Sequence, residues 1–125
     1  MIITAKDYDY GILSQSLQYL IEEYYRPNKP YSKRRIKIVL RAIKPRAHEK
    51  ILDTGCGVGT FAFHCAKQEA KTFGLDYSSE SIKTANKLCE QFKVSQHTSF
   101  LIANAMQLPF KNAYFDKIVS ADFIE

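Results

Sequence analysis

The spacing of apolar residues changes character near residue 50. Before that point, apolar side chains recur every three or four positions, as they do along one face of an amphipathic helix. Beyond it, short apolar runs alternate with helix-length segments, which is the pattern of strands and helices that follow one another in turn. We therefore divide the chain into an N-terminal helical segment, residues 1–48, and an α/β unit, residues 49–125.

Two amphipathic helices are predicted in the first segment. The first has its apolar face at Leu13, Leu17, Leu20 and Tyr24, and we expect it to end at Arg26–Pro27. The second runs from about Ser32, which we expect to cap it, to just before Pro45. Its apolar face comprises Ile36, Val39, Leu40 and Ile43.

Four strands and two helices are predicted in the α/β unit. The strands are KILDT, KTFGLD, TSFLIAN and FDKIVSAD, and the helices between the first three are GTFAFHCAKQEA and SSESIKTANKLCEQFK. Ser78 or Ser79 can cap the longer helix, which has one apolar face: Ile82, Ala85, Leu88, Cys89 and Phe92. Strands that alternate with helices predict a doubly wound α/β fold, with parallel strands, right-handed crossovers and helices on both faces.

The segment ILDTGCGVGTF, residues 51–61, runs from the first strand into the next helix and contains three glycines at alternate positions. In a parallel α/β sheet, ligands bind at this end of the strands. A dinucleotide fingerprint needs G-x-G-x-x-G, but here the third glycine comes one residue early and Thr60 stands in its place. A P-loop is excluded because no G-K-[ST] follows. The glycines therefore serve either a tight turn or a ligand that is not bound through a phosphate motif.

Two acids flank this loop in the predicted sheet. Asp53 lies just before the loop, and its carboxylate repels a pyrophosphate and attracts a cation. Asp76 ends the second strand, where an acid can accept hydrogen bonds from both ribose hydroxyls or can simply cap the next helix. Both features favour a nucleoside with a cationic tail, a description that S-adenosylmethionine fits.

Four motifs in this order resemble those of class I S-adenosylmethionine-dependent methyltransferases, most closely the small-molecule enzymes of the ubiquinone and menaquinone biosynthesis type. LDTGCGVG resembles the first motif, GLDYSSESIKTA the second, ANAMQLPF the third, and FDKIVSAD the strand that follows it. The resemblance covers about residues 45–125. It implies a Rossmann-like methyltransferase sheet, here only its N-terminal half with strand order 3-2-1-4, preceded by the two helices.

The resemblance also implies roles for individual residues. Asp53 would orient the amino group of the methionine part, and Asp76 would bind the ribose hydroxyls. The remaining cofactor contacts would be the backbone of Gly55, Cys56 and Gly57, the ring of Tyr77 against the adenine, and Asn104, Ala105 and Met106 beside the adenine. Cys56 would be a small side chain between two glycines and not a nucleophile. Tyr8, Tyr10 and Tyr31 are candidates to close over the cofactor, although ordinary packing is the commoner role.

Two departures from the family pattern stand out. Asn104 replaces the usual aspartate of the third motif, so its hydrogen bond to the adenine amine would lack charge assistance. The family's sheet has seven strands, whereas this sequence stops beyond the fourth, which leaves an apolar edge strand. Either the sequence is part of a longer enzyme, which we favour, or a homo-oligomer covers the edge. A fragment would bind the cofactor weakly and turn over poorly.

The formal charge of +5 is concentrated in residues 26–50, which have ten Lys and Arg against one acid. Such a face can meet nucleic acid, but it is more often merely solvated. No apolar run is long enough for a membrane span, and the N-terminus does not resemble a signal peptide. Three cysteines without a C-x-x-C pair and scattered histidines favour a reducing, cytoplasmic protein and predict no metal site.

Methyl transfer to a small-molecule acceptor is the leading functional hypothesis. A non-catalytic cofactor-binding module and an RNA methyltransferase are the alternatives. No catalytic base is identified: Asp122 and Glu125 lie near the mouth of the expected site, but loop or helix-start roles explain them better. The sequence does not identify the acceptor.

Overall fold

The computed structural model describes residues 14–104, 111 and 113–120. Its helices are α1 (Leu17–Leu20), which continues as a π-helical turn (Ile21–Tyr25), α2 (Pro30–Ile43), α3 (Thr60–Ala66) and α4 (Ser79–Gln91). Its strands are β1 (Lys50–Thr54), β2 (Lys71–Asp76), β3 (Thr98–Ile102) and β4 (Lys117–Val119), with a 3-10 turn (Ser95–His97) before β3. Several residues considered above lie outside the described residues: Tyr8, Tyr10, Leu13, Ala105, Met106, Asp122 and Glu125.

The four strands form one parallel sheet in the predicted order, β3-β2-β1-β4. In the middle of the sheet, Asp53 of β1 lies opposite Gly74 of β2 and Val119 of β4. The predicted bounds of β1 and β2 are confirmed, whereas β3 and β4 are shorter than predicted. Because parallel strands end at the same edge of a sheet, the loop after β1 lies beside the end of β2.

The start of α2 differs from the prediction. Pro30 occupies the first turn and Lys29 precedes it as the N-cap residue, so the helix begins two residues before Ser32. Proline suits this position because its fixed φ is helical and its missing N–H would have had no helical partner. Ser32 is therefore not the cap. It is buried in the first turn, and its hydroxyl donates a 3.0 Å hydrogen bond to Glu23.

The cap and the apolar face predicted for α4 are confirmed. The Oγ of Ser78 accepts a 3.2 Å hydrogen bond from the backbone N–H of Ser81, which identifies Ser78 as the capping serine. The apolar face contains four buried residues and one half-buried residue, Ile82, Ala85, Leu88, Cys89 and Phe92. The helix thus begins directly after the end of β2 and packs along β2 and β3.

The first helix widens by one residue before it ends. The backbone N–H of Arg26 donates a 2.8 Å hydrogen bond to the carbonyl of Ile21, five residues back instead of four. This extra residue places Tyr25 in the core with 1% of its surface exposed, five positions after Leu20. Tyr24, which regular helical spacing assigns to the apolar face, is half-buried.

The core consists of two clusters. The larger joins α1, the glycine loop, α3 and α4, and its buried members are Leu20, Tyr25, Val58, Phe63, Ala66, Leu88, Cys89 and Val94. The smaller contains Ile51, Cys65 and Ala70, and Leu40 and Ile43 of α2 cover it. Both N-terminal helices therefore pack directly on the α/β unit.

Within the described part of the chain, β4 pairs with β1 on one side only. The Nζ of Lys117 joins β4 to the loop between α2 and β1 through hydrogen bonds to the Lys44 carbonyl, at 2.7 Å, and to Glu49, at 2.9 Å. An apolar groove lies between α2 and β4, and Ile38 and Ile118 on its walls are 55% and 62% exposed. This edge has the exposed apolar surface that the sequence predicts.

Two kinds of feature are absent from residues 14–104, 111 and 113–120. None of the helices in these ranges combines the length and the apolar character that crossing a bilayer requires. Nor do these ranges bring three His, Cys, Asp or Glu side chains together as a metal site requires.

Candidate cofactor site

The loop after β1 turns through three glycines with left-handed backbone. Gly55, Gly57 and Gly59 have φ values of 65°, 55° and 86°, a region that other residues enter at an energetic cost. Two backbone hydrogen bonds fix the turn: Cys56 N–H donates to the Leu75 carbonyl at 2.8 Å, and Gly59 N–H donates to the Cys56 carbonyl at 2.9 Å. The alternate glycines therefore supply a backbone shape and not only small size.

Asp76 connects this loop to the end of β2. Its Oδ2 accepts a 2.9 Å hydrogen bond from the N–H of Gly57, and its Oδ1 accepts one of 2.9 Å from the N–H of Ser78. A carboxylate has about four acceptor positions, so two bonds leave capacity for a ligand. Because Ser78 caps α4, Asp76 is not the helix cap, and that alternative is wrong.

The space beside the glycine Cα atoms is open at Gly57 and filled at Gly59 and Gly74. A Cβ placed on Gly57 would meet no atom within 4 Å. A Cβ on Gly59 would lie 3.0 Å from both the Tyr25 hydroxyl and the Phe100 ring. A Cβ on Gly74, the neighbour of Asp53 in β2, would lie 2.5 Å from the Phe100 ring. Packing therefore requires glycine at positions 59 and 74, whereas the Cα of Gly57 faces unoccupied space.

Acidic side chains dominate the electrostatics around the loop. Asp53 is 3% exposed and lies one residue before the end of β1. Burial raises the pKa of the Cys56 thiol well above its usual range, and the negative charges of Asp53 and Asp76 raise it further. Burial, followed by Asp53, likewise raises the pKa of Cys65 to about 12. Cys56 is therefore a buried, neutral thiol, which fits the small, non-nucleophilic role that the sequence suggests.

Tyr77 and Asn104 both lie at the same edge of the sheet as Asp76. Tyr77 directly follows β2 and is 43% exposed. The N–H of Ala103 donates a 3.0 Å hydrogen bond to the Asp76 carbonyl, which holds the start of the loop after β3 beside the end of β2. Asn104 is the next residue and is exposed. The structure thus brings Asp53, Gly57, Asp76, Tyr77 and Asn104 to one edge of the sheet.

Tyr31, the third tyrosine predicted near the cofactor, lies in the first turn of α2 and is 78% exposed. It lines a surface groove with Arg34, Arg35, Ile38 and Val39. No described contact joins it to the glycine loop, so its closing role stays a prediction.

Sequence reasoning missed Tyr25, which contacts the glycine loop from the N-terminal segment. Its hydroxyl donates a 2.6 Å hydrogen bond to the carbonyl of Val58, 33 residues away. The ring stacks on Phe63 with centroids 4.3 Å apart. The sequence contains eight tyrosines and no local signal that separates this one from the others.

Comparison with known proteins agrees with this geometry. A family model described as a methyltransferase domain matches residues 51–125. Norajmaline N-methyltransferase from Rauvolfia serpentina is 33% identical over 78 residues, which are 62% of this chain and 27% of that protein. An O-methyltransferase from Pyrenophora dematioidea is 37% identical over 79 residues, 62% of this chain and 30% of that protein. The chain therefore spans less than a third of the length of these relatives.

The fold also has a solved counterpart. The SAM-dependent methyltransferase from Thiobacillus denitrificans, solved in complex with S-adenosyl-L-homocysteine, superposes with a TM-score of 0.64. The match is 18% identical and covers 85% of this chain and 43% of that one, so it establishes the fold alone. Since the family model matches more than half of the sequence, the chain belongs to the methyltransferase-domain family, as its resemblance to class I S-adenosylmethionine-dependent methyltransferases predicted.

Proposed function

We propose that this chain binds S-adenosylmethionine at the carboxyl ends of β1 and β2, and that the protein to which it belongs methylates a small-molecule acceptor. The observation that carries the proposal is the 2.9 Å hydrogen bond from Gly57 N–H to the Asp76 carboxylate. It places an acid with spare acceptor capacity beside a glycine whose outer side is open. A ribose needs such an acceptor, and the adjoining chain of the cofactor needs such room.

The charge of the site favours this ligand over a dinucleotide. In a phosphate-binding loop, backbone N–H groups point at the anion. Here the Gly57 N–H donates to a carboxylate, so a phosphate at that position would meet negative charge instead of a donor. S-adenosylmethionine carries an ammonium and a sulfonium group, and both are attracted to the buried Asp53 and to Asp76.

Each predicted contact keeps its role in this proposal. Asp53 orients the amino group of the methionine part, and Asp76 binds the ribose hydroxyls. The loop backbone at Gly55, Cys56 and Gly57 approaches the cofactor closely, and the adenine lies among Tyr77, Asn104, Ala105 and Met106. The left-handed φ values of Gly55 and Gly57 and the exposure of Tyr77 support these roles.

A small molecule is the acceptor class that we propose. The support comes from the N- and O-methyltransferases among the relatives. Each of these two proteins is more than three times as long as the stretch that it shares with this chain. Displacement at a sulfonium gains much of its acceleration from holding the acceptor in line with the methyl carbon. The stretch shared with these relatives leaves most of their length outside the comparison, and we assign no catalytic residue here.

RNA is the second candidate acceptor because of the outer face of α2. Arg34, Lys37 and Arg41 lie on this face and are exposed, and residues 30–48 contain no Asp or Glu. A phosphate backbone would neutralise such a face, and binding would weaken steeply with salt. Salt-dependent binding of a structured RNA by the chain, lost in an Arg34→Ala/Lys37→Ala/Arg41→Ala variant, would favour this candidate.

Pairing of two copies along β4 also stays a prediction. Among the described strands β4 pairs on one side only, and this edge and the exposed Ile118 support the pairing. Light scattering of the chain at several concentrations measures it, with Ile118→Lys as the disrupting variant. A monomer at every concentration would contradict it.

A cytoplasmic location is also part of the proposed function. The free, buried thiols of Cys56, Cys65 and Cys89 support it.

Calorimetric titration of the chain with S-adenosylhomocysteine, adenosine and NAD+ tests the proposal. We expect S-adenosylhomocysteine to bind, adenosine to bind more weakly, and NAD+ not to bind, because its pyrophosphate would meet Asp53 and Asp76. Equal or tighter binding of NAD+ would overturn the proposal. Methyl transfer is assayed separately with small-molecule acceptors, and cofactor binding without transfer would favour the non-catalytic module.

A further inference from the structure

The hydroxyl of Tyr25 lies at a junction between the N-terminal helix and the glycine loop. It donates a 2.6 Å hydrogen bond to the Val58 carbonyl, and its oxygen lies 3.6 Å from the Sγ of Cys89 in α4. Tyr25 is 1% exposed, and Val58 and Cys89 are buried with it. A buried carbonyl requires a hydrogen-bond donor, and Tyr25 supplies one to Val58.

Val58 lies between the two glycines with contrasting surroundings. On one side, Gly57 faces open space and donates to Asp76. On the other, the bare Cα of Gly59 lies so close to the Tyr25 hydroxyl that a Cβ there would be 3.0 Å from it. The loop is therefore held at two points, by Asp76 on the ligand side and by Tyr25 on the core side.

The position of Tyr25 is itself well determined. Its ring stacks on Phe63, with centroids 4.3 Å apart, and contacts Phe92, with centroids 5.6 Å apart. Burial raises the pKa of its hydroxyl far above the usual range, so the group remains a neutral donor at any physiological pH. The ring fixes where the hydroxyl lies, and the hydroxyl fixes the carbonyl between the glycines.

We propose that Tyr25 is a positioning residue for cofactor binding, acting through the Val58 carbonyl to hold the loop in the conformation that leaves the side of Gly57 open. The inference rests on the proposed function, because the effect of loop position is observed as cofactor affinity. Tyr25 is buried on the core side of the loop, so it acts through Val58 and is not proposed as a ligand contact. It reduces the number of loop conformations that the ligand must otherwise exclude when it binds.

Tyr25→Phe tests this role because it removes the hydroxyl and keeps the stacked ring. We expect the Kd of S-adenosylhomocysteine, measured by calorimetry, to rise about 3- to 10-fold, the effect of one hydrogen bond. Cys89→Ala is the matched control: it removes the other neighbour of the same hydroxyl and leaves the bond to Val58. We expect this control to lower Tm while its Kd stays within twofold of the wild-type value.

Affinity and stability must respond differently for the inference to stand. If Tyr25→Phe lowers Tm but keeps the wild-type Kd, the hydroxyl is merely structural and the inference is wrong. If both variants weaken binding equally, core stability explains the effect and the inference is again wrong. Should Tyr25→Phe be only marginally folded, the Tm shift caused by increasing S-adenosylhomocysteine gives the same Kd comparison. A wild-type chain that binds no S-adenosylhomocysteine would instead overturn the proposed function.

Discussion

Gly57 and Asp76 are joined by a 2.9 Å hydrogen bond from backbone N–H to carboxylate, although 19 residues separate them in the chain. The bond connects the loop after β1 to the end of β2. It engages the Gly57 N–H, which would otherwise be available to donate to a phosphate. A hydrogen bond to a charged group is worth about 1.5 to 3 kcal/mol. The same carboxylate can therefore shape the loop and receive a ligand.

Replacing Asp76 by Asn removes the charge and one of the two carboxylate acceptors. The amide oxygen can keep a bond to Gly57 or to Ser78 but not both in the same geometry, because the amide nitrogen donates. We expect the Kd of S-adenosylhomocysteine to rise about 10- to 100-fold in calorimetry, since the ribose also loses a charged acceptor.

Asp116→Asn is the matched control for that experiment. Asp116 accepts a 2.8 Å hydrogen bond from the N–H of Lys50, at the opposite end of β1. Asp116→Asn makes the same chemical change as Asp76→Asn and also affects a hydrogen bond from a backbone N–H to a carboxylate. Its position, however, is at the end of β1 that is remote from the glycine loop. We expect a similar loss of Tm and an unchanged Kd. Equal loss of affinity in both variants would show that Asp76 acts only through stability.

Alanine at Gly57 and alanine at Gly59 should separate binding from folding. Both glycines have left-handed φ, so each substitution costs about 1 to 2 kcal/mol of backbone strain. At Gly57 the new methyl group meets nothing within 4 Å, so we expect little further loss of stability but a Kd at least about tenfold higher. Calorimetry and thermal unfolding of the same samples measure the two effects.

Gly59→Ala should behave in the opposite way. Its methyl group would lie 3.0 Å from the Tyr25 hydroxyl and 3.1 Å from the Ala85 side chain, so crowding adds to the strain. We expect a loss of about 3 kcal/mol in the free energy of unfolding, measured with urea. If Gly57→Ala is the more destabilised of the two, the open space beside Gly57 is misassigned.

Asn104→Asp restores the acid that the related third motif usually contains. Asn104 is exposed at the ligand edge, so a carboxylate there pays little desolvation and can accept from the adenine amine with charge assistance. We expect the affinity for S-adenosylhomocysteine to be maintained or improved in calorimetry. A large loss of affinity would contradict the placement of Asn104 beside the adenine.

Acid should destabilise the fold through His64. Its Nε2 lies 3.0 Å from the Tyr24 carbonyl, and burial lowers its pKa below the usual value, with Lys67 lowering it further. Below a pH of about 6.5, His64 in the unfolded chain takes up a proton that the folded chain resists. The unfolded state then binds more protons, so Tm should fall as the pH falls from about 6.5 towards the folded pKa.

His64→Gln keeps a donor for the Tyr24 carbonyl and removes the titration. We expect this variant to lose less Tm than the wild type between pH 7 and pH 5, measured by thermal unfolding at several pH values. His48→Gln, at an exposed position, is the comparison variant that shows whether the loss of any histidine has the same effect. Parallel Tm profiles for His64→Gln and the wild type would assign the acid sensitivity to other groups.

Much of the fold could be predicted because strong local patterns specify it. The bounds of β1 and β2 follow from apolar runs between polar and glycine residues, and the parallel pairing follows from the alternation of strands and helices. The strand order followed from the resemblance to the methyltransferase family. The start of α2 could not be predicted from Ser32, since two signals competed and Pro30 prevailed over the serine. Local propensity predicts that a helix exists more reliably than it predicts the first residue of that helix.

The candidate site was predictable where it depends on the strand ends and not where it depends on long-range packing. Asp53, Gly57 and Asp76 could be identified because Asp53 and Asp76 lie at or next to the ends of β1 and β2, and Gly57 lies in the loop that follows β1. The contact between Tyr25 and Val58 joins residues 33 positions apart and has no sequence motif. It also depends on the π-helical turn, which regular helical spacing does not predict.

That widened turn behaves as a one-residue insertion in the helix preceding the sheet. Each residue of a regular helix advances the side-chain direction by about 100°, so deleting one residue within 21–25 would restore the regular path and turn the following side chains around the axis by that amount. Tyr25 would then lie four positions after Leu20 instead of five, and its side chain would no longer have its present direction relative to Leu20. When homologous chains are aligned with this one, a gap of one residue at this turn therefore marks relatives that must hold their glycine loop by another side chain.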